Sequence, residues 1–168
     1  MKTRCLVPLC ALALLAGVLS NAPVIGAQTG GQPPSVSFTT QDYIDVQQLY
    51  ARYAHALDAF EREGAGWAET FTPDGVFSRN TVGYTALVAF AKNWRDNRGG
   101  AFLQHWNNQL VITPTAQGAR GSAYMMLVDR RTQPPSILSV YEYDDELVRT
   151  AGGWRFKSRS FVPLPAVK

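Results

Sequence analysis

The chain has 168 residues, of which 46% are hydrophobic and 17% are charged, and its formal net charge is +3. This length fits one domain with an ordinary globular composition. Two of the basic residues stand within the first four positions, so the positive charge gives no support to nucleic-acid binding.

The start of the chain is predicted to be a secretory signal peptide covering residues 1–27. Lys2 and Arg4 precede an almost wholly apolar run over residues 6–19, and Ile25-Gly-Ala27 is an acceptable cleavage site. The apolar run is too short for a comfortable membrane span. We therefore expect an exported protein, periplasmic or secreted, that has no membrane attachment after cleavage.

Cleavage of the signal peptide would remove both cysteines and two positive charges from the mature protein. Cys5 and Cys10 are the only cysteines, so the mature chain would have no disulfide, no thiol nucleophile and no thiolate metal site. Loss of two basic residues and no acid would also lower the formal charge from +3 to +1. About 140 residues would remain, which is enough to build a core without such cross-links.

A helix is predicted to follow a flexible linker. Residues 28–39 are rich in Gly and Pro, which favours a linker. Thr40 is a reasonable N-cap for a helix from about Gln41 to Phe60. The apolar side chains fall on one stripe of that helix, namely Val46, Leu49, Tyr50, Tyr53, Leu57 and Phe60.

The middle of the chain is predicted to hold two more helical segments. Residues 67–71 form a short one that Pro73 stops, and Asp74-Gly75 is typical of a turn before a short strand. Residues 84–95 show another helical pattern, which a Gly-Gly pair ends.

From residue 105 onward the sequence predicts strands. Four extended segments are separated by turn signals, and they cover His105–Thr113, Ala119–Arg130, Ile137–Thr150 and Trp154–Val162. Helices followed by consecutive long strands indicate an α+β fold with a largely antiparallel sheet. A sheet that curls around about three helices leaves a cone with a pocket at its open end, and such a mouth is a common ligand site.

Several motifs, taken in this order and spacing, resemble the SnoaL-like group of the nuclear transport factor 2-like superfamily. They span most of a predicted domain at residues 40–162, which leaves 163–168 as a tail. The matching motifs are Tyr50-x-x-Tyr-Ala-x-Ala-Leu-Asp58, Trp67-Ala-x-x-Phe-Thr-Pro-Asp-Gly-Val-Phe77, His105-x-x-Asn108, Tyr143-Asp-Asp-Glu-Leu-Val-Arg149 and Gly153-Trp-Arg-Phe-x-x-Arg159.

The resemblance implies a cone-shaped α+β barrel that commonly forms a homodimer through the outer face of its sheet. It does not imply one function, because the group includes scytalone dehydratase, polyketide cyclases, bile-acid 7α-dehydratase and non-catalytic domains. The dehydratases pair a helix acid with a strand histidine and add a tyrosine on the first helix. Asp58, His105 and Tyr53 match those positions. Tyr141 stands where many relatives have glycine, which would narrow the pocket.

In the catalytic interpretation His105 is a general base, because a neutral imidazole can accept a proton near neutral pH. Asp58 would accept a hydrogen bond from the other ring nitrogen and fix the tautomer. The alternatives are a strand histidine bonded to a backbone group, and an Asp58 that pairs locally with His55 on the same helix. Tyr53 would donate its hydroxyl to a developing oxyanion, although a core tyrosine is at least as common.

Five further residues are candidates for ligand binding: Tyr50, Asn108, Tyr141, Tyr143 and Arg159. The tyrosines suit an aromatic or polycyclic ligand. Asn108 could instead cap the end of the sheet. Arg159 could bind a carboxylate or enolate oxygen, or pair at the surface with Asp144 or Glu142.

The residues predict no metal, because the only two histidines lie far apart in the sequence. They predict no cofactor either, and the sequence contains no phosphate-binding glycine loop. The favoured interpretation is an exported, cofactor-independent dehydratase, isomerase or cyclase that acts on a small hydrophobic carbonyl compound. A non-catalytic module for small-ligand binding or dimerisation, and a structural role without a ligand, remain the alternatives.

Overall fold

The computed structural model describes residues 37–164, so the predicted signal peptide, most of the predicted linker and most of the predicted tail lie outside the described residues. The predicted α+β class is confirmed: three helices pack against one curved, unclosed sheet of six strands. The elements are α1 (Thr40–Asp58), α2 (Ala65–Ala68), β1 (Phe71–Phe77), β2 (Thr81–Val82), α3 (Tyr84–Asn97), β3 (Leu103–Thr115), β4 (Gly118–Asp129), β5 (Ser136–Thr150) and β6 (Gly153–Pro163), with short 3-10 turns at Glu61–Gly64 and Gly100–Phe102.

Helix α1 begins one residue earlier than predicted, because Thr39 and not Thr40 is its N-cap. The backbone N–H of Asp42 donates to Thr39 Oγ1 (3.2 Å), and the backbone N–H of Thr39 donates to Asp42 Oδ2 (2.8 Å). This reciprocal capping box satisfies two amide groups that a helix otherwise leaves unpaired. The buried stripe of α1 then faces the sheet, and the helix ends at Asp58.

The segment after α1 corrects two predictions. The short helix covers Ala65–Ala68 and not residues 67–71, and Phe71 already begins β1. Pro73 and Asp74-Gly75 lie inside β1 and do not form a turn before it. Strand β1 pairs with β6 at Phe71 and again at Val76, with a register shift between them, so these residues form an irregularity within the strand.

The four predicted strands at the C-terminal side are confirmed, each with ends within two residues of the prediction. The sheet order is β2-β1-β6-β5-β4-β3, and every neighbouring pair is antiparallel except β1 with β6. Within residues 37–164, no helix combines the length and the apolar character needed to cross a bilayer.

Alternation along the strands decides which side chains face the helices. On β5, Tyr143, Asp145 and Leu147 are buried, whereas Asp144 and Glu146 are exposed. The inner face packs against α1 and α3 around an aromatic cluster that includes Trp67, Phe71, Phe77 and Phe156. The cavity described below opens within this inner layer.

Candidate active site

The last residue of α1 and the third residue of β3 meet through two hydrogen bonds. His105 Nδ1 lies 2.6 Å from Asp58 Oδ1, and the backbone N–H of His105 donates to Asp58 Oδ2 at 2.9 Å. The carboxylate of Asp58 thus binds the strand histidine and not the exposed His55 on its own helix. Because an ionised carboxylate only accepts, Nδ1 carries the proton and Nε2 of the neutral ring is left as an acceptor.

The imidazole of His105 forms part of the wall of a cavity of about 360 Å³. Its side chain is 7% exposed and that of Asp58 is 17% exposed, so the acid lies behind the ring and keeps some contact with solvent. None of the described lining residues is an aspartate or a glutamate. They are Tyr53, Leu57, Phe77, Ser78, Phe90, Trp94, Arg98, His105, Met125, Leu127, Tyr141, Tyr143 and Phe161.

Tyr53 lines this cavity and carries a buried hydroxyl group close to the side chains of Tyr143 and Arg159. The residue is fully buried, and its hydroxyl has no hydrogen-bond partner among residues 37–164. Burial raises the pKa of the Tyr53 hydroxyl, which therefore stays protonated and able to donate. Buried hydroxyl groups normally have a partner, so this one is a candidate to bind a ligand oxygen.

A buried ion pair lies next to the cavity tyrosines. Arg159 Nε donates to Asp145 Oδ1 at 2.7 Å and Nη2 donates to Asp145 Oδ2 at 2.6 Å, with both side chains fully buried. The Tyr50 hydroxyl donates to the same carboxylate. Burial acts to lower the pKa of Arg159, but the negative charge of Asp145 outweighs it, and the net shift is upward.

The guanidinium of Arg159 is also covered by aromatic rings. Its central carbon lies 4.1 Å from the ring centroid of Tyr53 and 3.9 Å from that of Tyr143. Such contacts between a cation and ring faces are attractive, and they are strongest where water is excluded. Arg159 therefore acts as a fixed cation against the rings of two cavity tyrosines.

The predicted ligand-binding residues divide into two groups. Tyr141 and Tyr143 line the cavity. Tyr50 and Arg159 lie outside the lining, in the network around Asp145. Asn108 is exposed, and its amide donates to the backbone oxygen of Trp106 at 3.2 Å, away from this cavity.

The predicted surface pairing of Arg159 with Asp144 or Glu142 is corrected, because its partner is the buried Asp145. Alternation on β5 could have revealed this, since Asp145 shares a face with Tyr143 and Leu147. Phe77, Phe90 and Trp94 also line the cavity. Ser78 received no prediction, because nothing in its sequence context indicates a cavity.

The part of the chain that the structure describes contains no group of three or more His, Cys, Asp or Glu side chains placed to hold a metal ion. What the arrangement offers is an imidazole with a free nitrogen, a carboxylate that orients it and a neutral phenol. The imidazole and the phenol belong to residues that line one largely apolar space, and the carboxylate lies behind the imidazole. Together these groups suffice for proton transfer to and from a bound carbon or oxygen acid.

The family model of the SnoaL-like domain matches residues 39–160, which is most of the chain. No curated protein matches the sequence. Solved structures extend the comparison, and 207 chains match. The protein Aln2 from a Streptomyces species is 26% identical over 74% of this chain and 92% of its own, with a TM-score of 0.66.

Two further structures bear on ligands and on the fold. A protein from Catenulispora acidiphila, solved in complex with S-DNPA, is 28% identical over 73% of this chain and 93% of its own, with a TM-score of 0.62. A putative scytalone dehydratase from Novosphingobium aromaticivorans covers 76% of this chain and 89% of its own, with a TM-score of 0.60. Its identity of 20% supports the shared fold alone.

Proposed function

Because the chain belongs to the SnoaL-like domain family, we propose that it is a cofactor-independent enzyme of the dehydratase, isomerase or cyclase type. Its substrate is a small hydrophobic carbonyl compound. The observation that carries this proposal is the 2.6 Å contact between His105 Nδ1 and Asp58 Oδ1, with the ring in the wall of a cavity. A histidine that only packs in a core does not need an oriented acceptor nitrogen beside an open space.

The proposed reaction begins with His105. Nε2 takes a proton from the carbon next to the substrate carbonyl, and the electron pair of the broken C–H bond moves into an enolate. Asp58 stabilises the imidazolium that forms and holds the ring in place. The imidazolium then returns the proton to one of four acceptors. Protonation of a hydroxyl group that leaves from the β carbon completes an elimination, protonation of the same carbon is exchange, and protonation of another carbon of the extended enolate is isomerisation. In a cyclisation the enolate carbon forms a bond to a second carbonyl carbon of the substrate, and the imidazolium protonates the alkoxide that results.

Tyr53 supplies the oxyanion contact in this scheme. Its hydroxyl is buried and lacks a partner within the described chain, so it can donate to the enolate oxygen without first breaking a protein hydrogen bond. Arg159 lies against the Tyr53 ring and places a positive charge near the same oxygen. Both effects are strengthened by the low polarity of the surrounding side chains.

The second candidate is a non-catalytic module that binds small molecules. The mostly apolar and aromatic lining favours it, as does the ligand complex of the Catenulispora acidiphila protein. Both candidates require the cavity to bind an apolar compound, and they differ in whether His105 moves a proton.

An exchange experiment separates the two candidates. An acetylnaphthalene would be incubated with the protein in deuterated water, and loss of the acetyl proton signal would be followed by NMR. We expect catalysed exchange that falls by about 10²-fold or more in His105→Ala. His55→Ala is the matched control, because it removes the other histidine, which is exposed on α1.

The variants also need a stability measurement. Asp58 keeps the backbone N–H of His105 and some solvent contact, so we expect His105→Ala to lose no more than about 1 kcal/mol. Binding without exchange by the native protein would favour the binding module. Equal exchange by a folded His105→Ala protein would reject the mechanism.

Export and self-association complete the proposal. The basic and apolar start of the chain supports export, and proteomic detection of a new terminus near residue 28 outside the cytoplasm would test it. The outer face of the sheet presents exposed Trp106, Tyr124, Val140 and Val162, which suits a second copy of the chain. A monomeric mass by sedimentation at micromolar concentration would contradict the homodimer.

A further inference from the structure

Ser78 follows the last residue of β1 in an unusual backbone conformation. Its φ is 50° and that of Arg79 is 67°, in the left-handed region that residues other than glycine seldom adopt. The turn is held at both ends, because the Ser78 N–H donates to the Arg159 oxygen (2.9 Å) and the Ser78 oxygen accepts from the Asn80 N–H (2.8 Å). The backbone therefore fixes the direction of the Ser78 Cα–Cβ bond.

Ser78 is one of the residues that line the cavity, and its hydroxyl oxygen is buried. Across the described residues it has no hydrogen-bond partner. A buried hydroxyl without a partner is uncommon, and sparsely populated backbone conformations concentrate at ligand-binding sites. The two observations are independent, and both point to a contact with a bound molecule.

Ser78 and His105 line the cavity from strands that are not neighbours in the sheet. In the sheet order, β6, β5 and β4 separate β1 from β3. Four steps between strands correspond to about 19 Å on a flat sheet, and curvature shortens that distance. A compound that touches both residues must therefore extend across the cavity, past the rings of Tyr141 and Tyr143 between them.

We propose that Ser78 is a specificity-determining residue that binds a second oxygen of the substrate. The substrate is then an elongated hydrophobic ketone whose reacting carbonyl lies near His105 and whose hydroxyl or second carbonyl group lies at the far end. The position of the reacting carbonyl rests on the proposed function. The Ser78 contact does not, because it concerns binding alone.

Two probes test the contact. The first is an acetylnaphthalene, and the second is the same ketone with a phenolic hydroxyl on the ring far from the acetyl group. Their affinities would be measured by isothermal titration calorimetry with the native protein. A hydroxyl that satisfies the buried serine should tighten binding about tenfold.

Ser78→Ala and Ser78→Gly remove the hydroxyl, and the glycine variant also suits the left-handed backbone. We expect each variant to bind the two probes with nearly equal affinity. Compared with the native protein, the variants should bind the hydroxylated probe more weakly and the other probe equally well. Ser122→Ala is the matched control, because that hydroxyl donates to Glu142 at 2.7 Å outside the cavity lining. It should keep the tenfold preference.

The outcomes separate this inference from the proposed function. A preference that survives in both Ser78 variants, or equal binding of the two probes by the native protein, would overturn the Ser78 contact. His105→Ala should lose exchange and keep the preference. If the native protein shows the Ser78-dependent preference but no exchange, the catalytic proposal fails and the binding contact stands.

Discussion

Two carboxylates on the inner side of this fold each hold a nitrogen base or cation at 2.6–2.7 Å, yet their surroundings differ. The Asp58–His105 pair lies at the cavity wall, with side chains 17% and 7% exposed. The Asp145–Arg159 pair is fully buried beneath aromatic rings. The first pair joins a helix to an edge strand, and the second joins two neighbouring strands.

The difference shows that the role of an acid–base pair depends on whether a bound molecule can reach it. Imidazole can gain and lose a proton near neutral pH, and Nε2 of His105 is not occupied by Asp58. Arginine keeps its charge, and Asp145 occupies its Nε and Nη2 groups. We therefore interpret Asp58–His105 as the pair that transfers protons. We interpret Asp145–Arg159 as a structural pair that fixes the Tyr53 and Tyr143 rings.

The largest expected effect comes from Asp58→Asn. An asparagine amide would donate to Nδ1, which would move the ring proton to Nε2 and leave the ring without a free acceptor nitrogen. We expect the exchange rate to fall by about 10²–10⁴-fold, measured by the deuterium assay described above. Asp45→Asn on the same helix is the control, since that carboxylate accepts from Gln41 away from the cavity. Full exchange by a folded Asp58→Asn protein would show that the pair is structural.

The buried pair should behave in the opposite way, through stability. Arg159→Met leaves Asp145 as a buried charge without its partner, and we expect a loss of about 3–5 kcal/mol in the free energy of unfolding, measured with urea. Arg120→Met is the control, because its pair with Asp144 has the same 2.7 Å distance but is more than half exposed. That loss should stay below about 1 kcal/mol.

A double variant distinguishes the loss of a charge partner from a general packing defect at this site. Asp145→Leu combined with Arg159→Met removes both charges, and it should recover part of the lost stability. If Arg159→Met is no less stable than Arg120→Met, the interpretation of the buried pair as structural support is wrong.

The sequence predicted the elements well wherever periodicity was long and regular. The α1 stripe and the four long strands repeat their pattern over ten or more residues, which leaves little ambiguity. The prediction for the β1 segment was wrong because Pro73 and Gly75 are typical of turns. Phe71 and Val76 on either side of them pair with β6, and this long-range pairing encloses the two residues within one irregular strand.

The site was predicted less completely, and for different reasons. The matched positions of Asp58 and His105 came from the family resemblance, and the structure brings the two side chains into contact. Asp145 was missed because a run of three consecutive acidic residues is typical of a solvent-exposed segment. Only the alternation of inward and outward side chains along β5 indicates that the middle residue is buried. Ser78 could not be predicted, because a left-handed serine turn depends on backbone contacts with Arg159 and leaves no local composition signal.

A third carboxylate extends the comparison to pH. Asp42 accepts from the Thr39 backbone N–H and hydroxyl and from Trp154 Nε1, and it lies 2.9 Å from Arg149. These hydrogen bonds, with that of the Thr39 backbone first, lower the pKa of Asp42 to about 2. An unfolded aspartate has a pKa of about 3.9, so the folded state holds the ionised form more strongly.

The stabilisation from Asp42 should be fully present above about pH 5, and it should be lost as the pH falls from about 4 toward 2. We therefore expect Asp42→Asn to be less stable than the native protein at pH 7, by a margin that shrinks on acidification. Urea unfolding of both proteins between about pH 3 and 7 would measure this margin. A margin that does not change with pH would mean that Asp42 stabilises the fold by hydrogen bonding alone and not by its charge. Asp42 would then differ from the Asp58–His105 and Asp145–Arg159 pairs, because its charge would contribute neither to proton transfer nor to the stability of the fold.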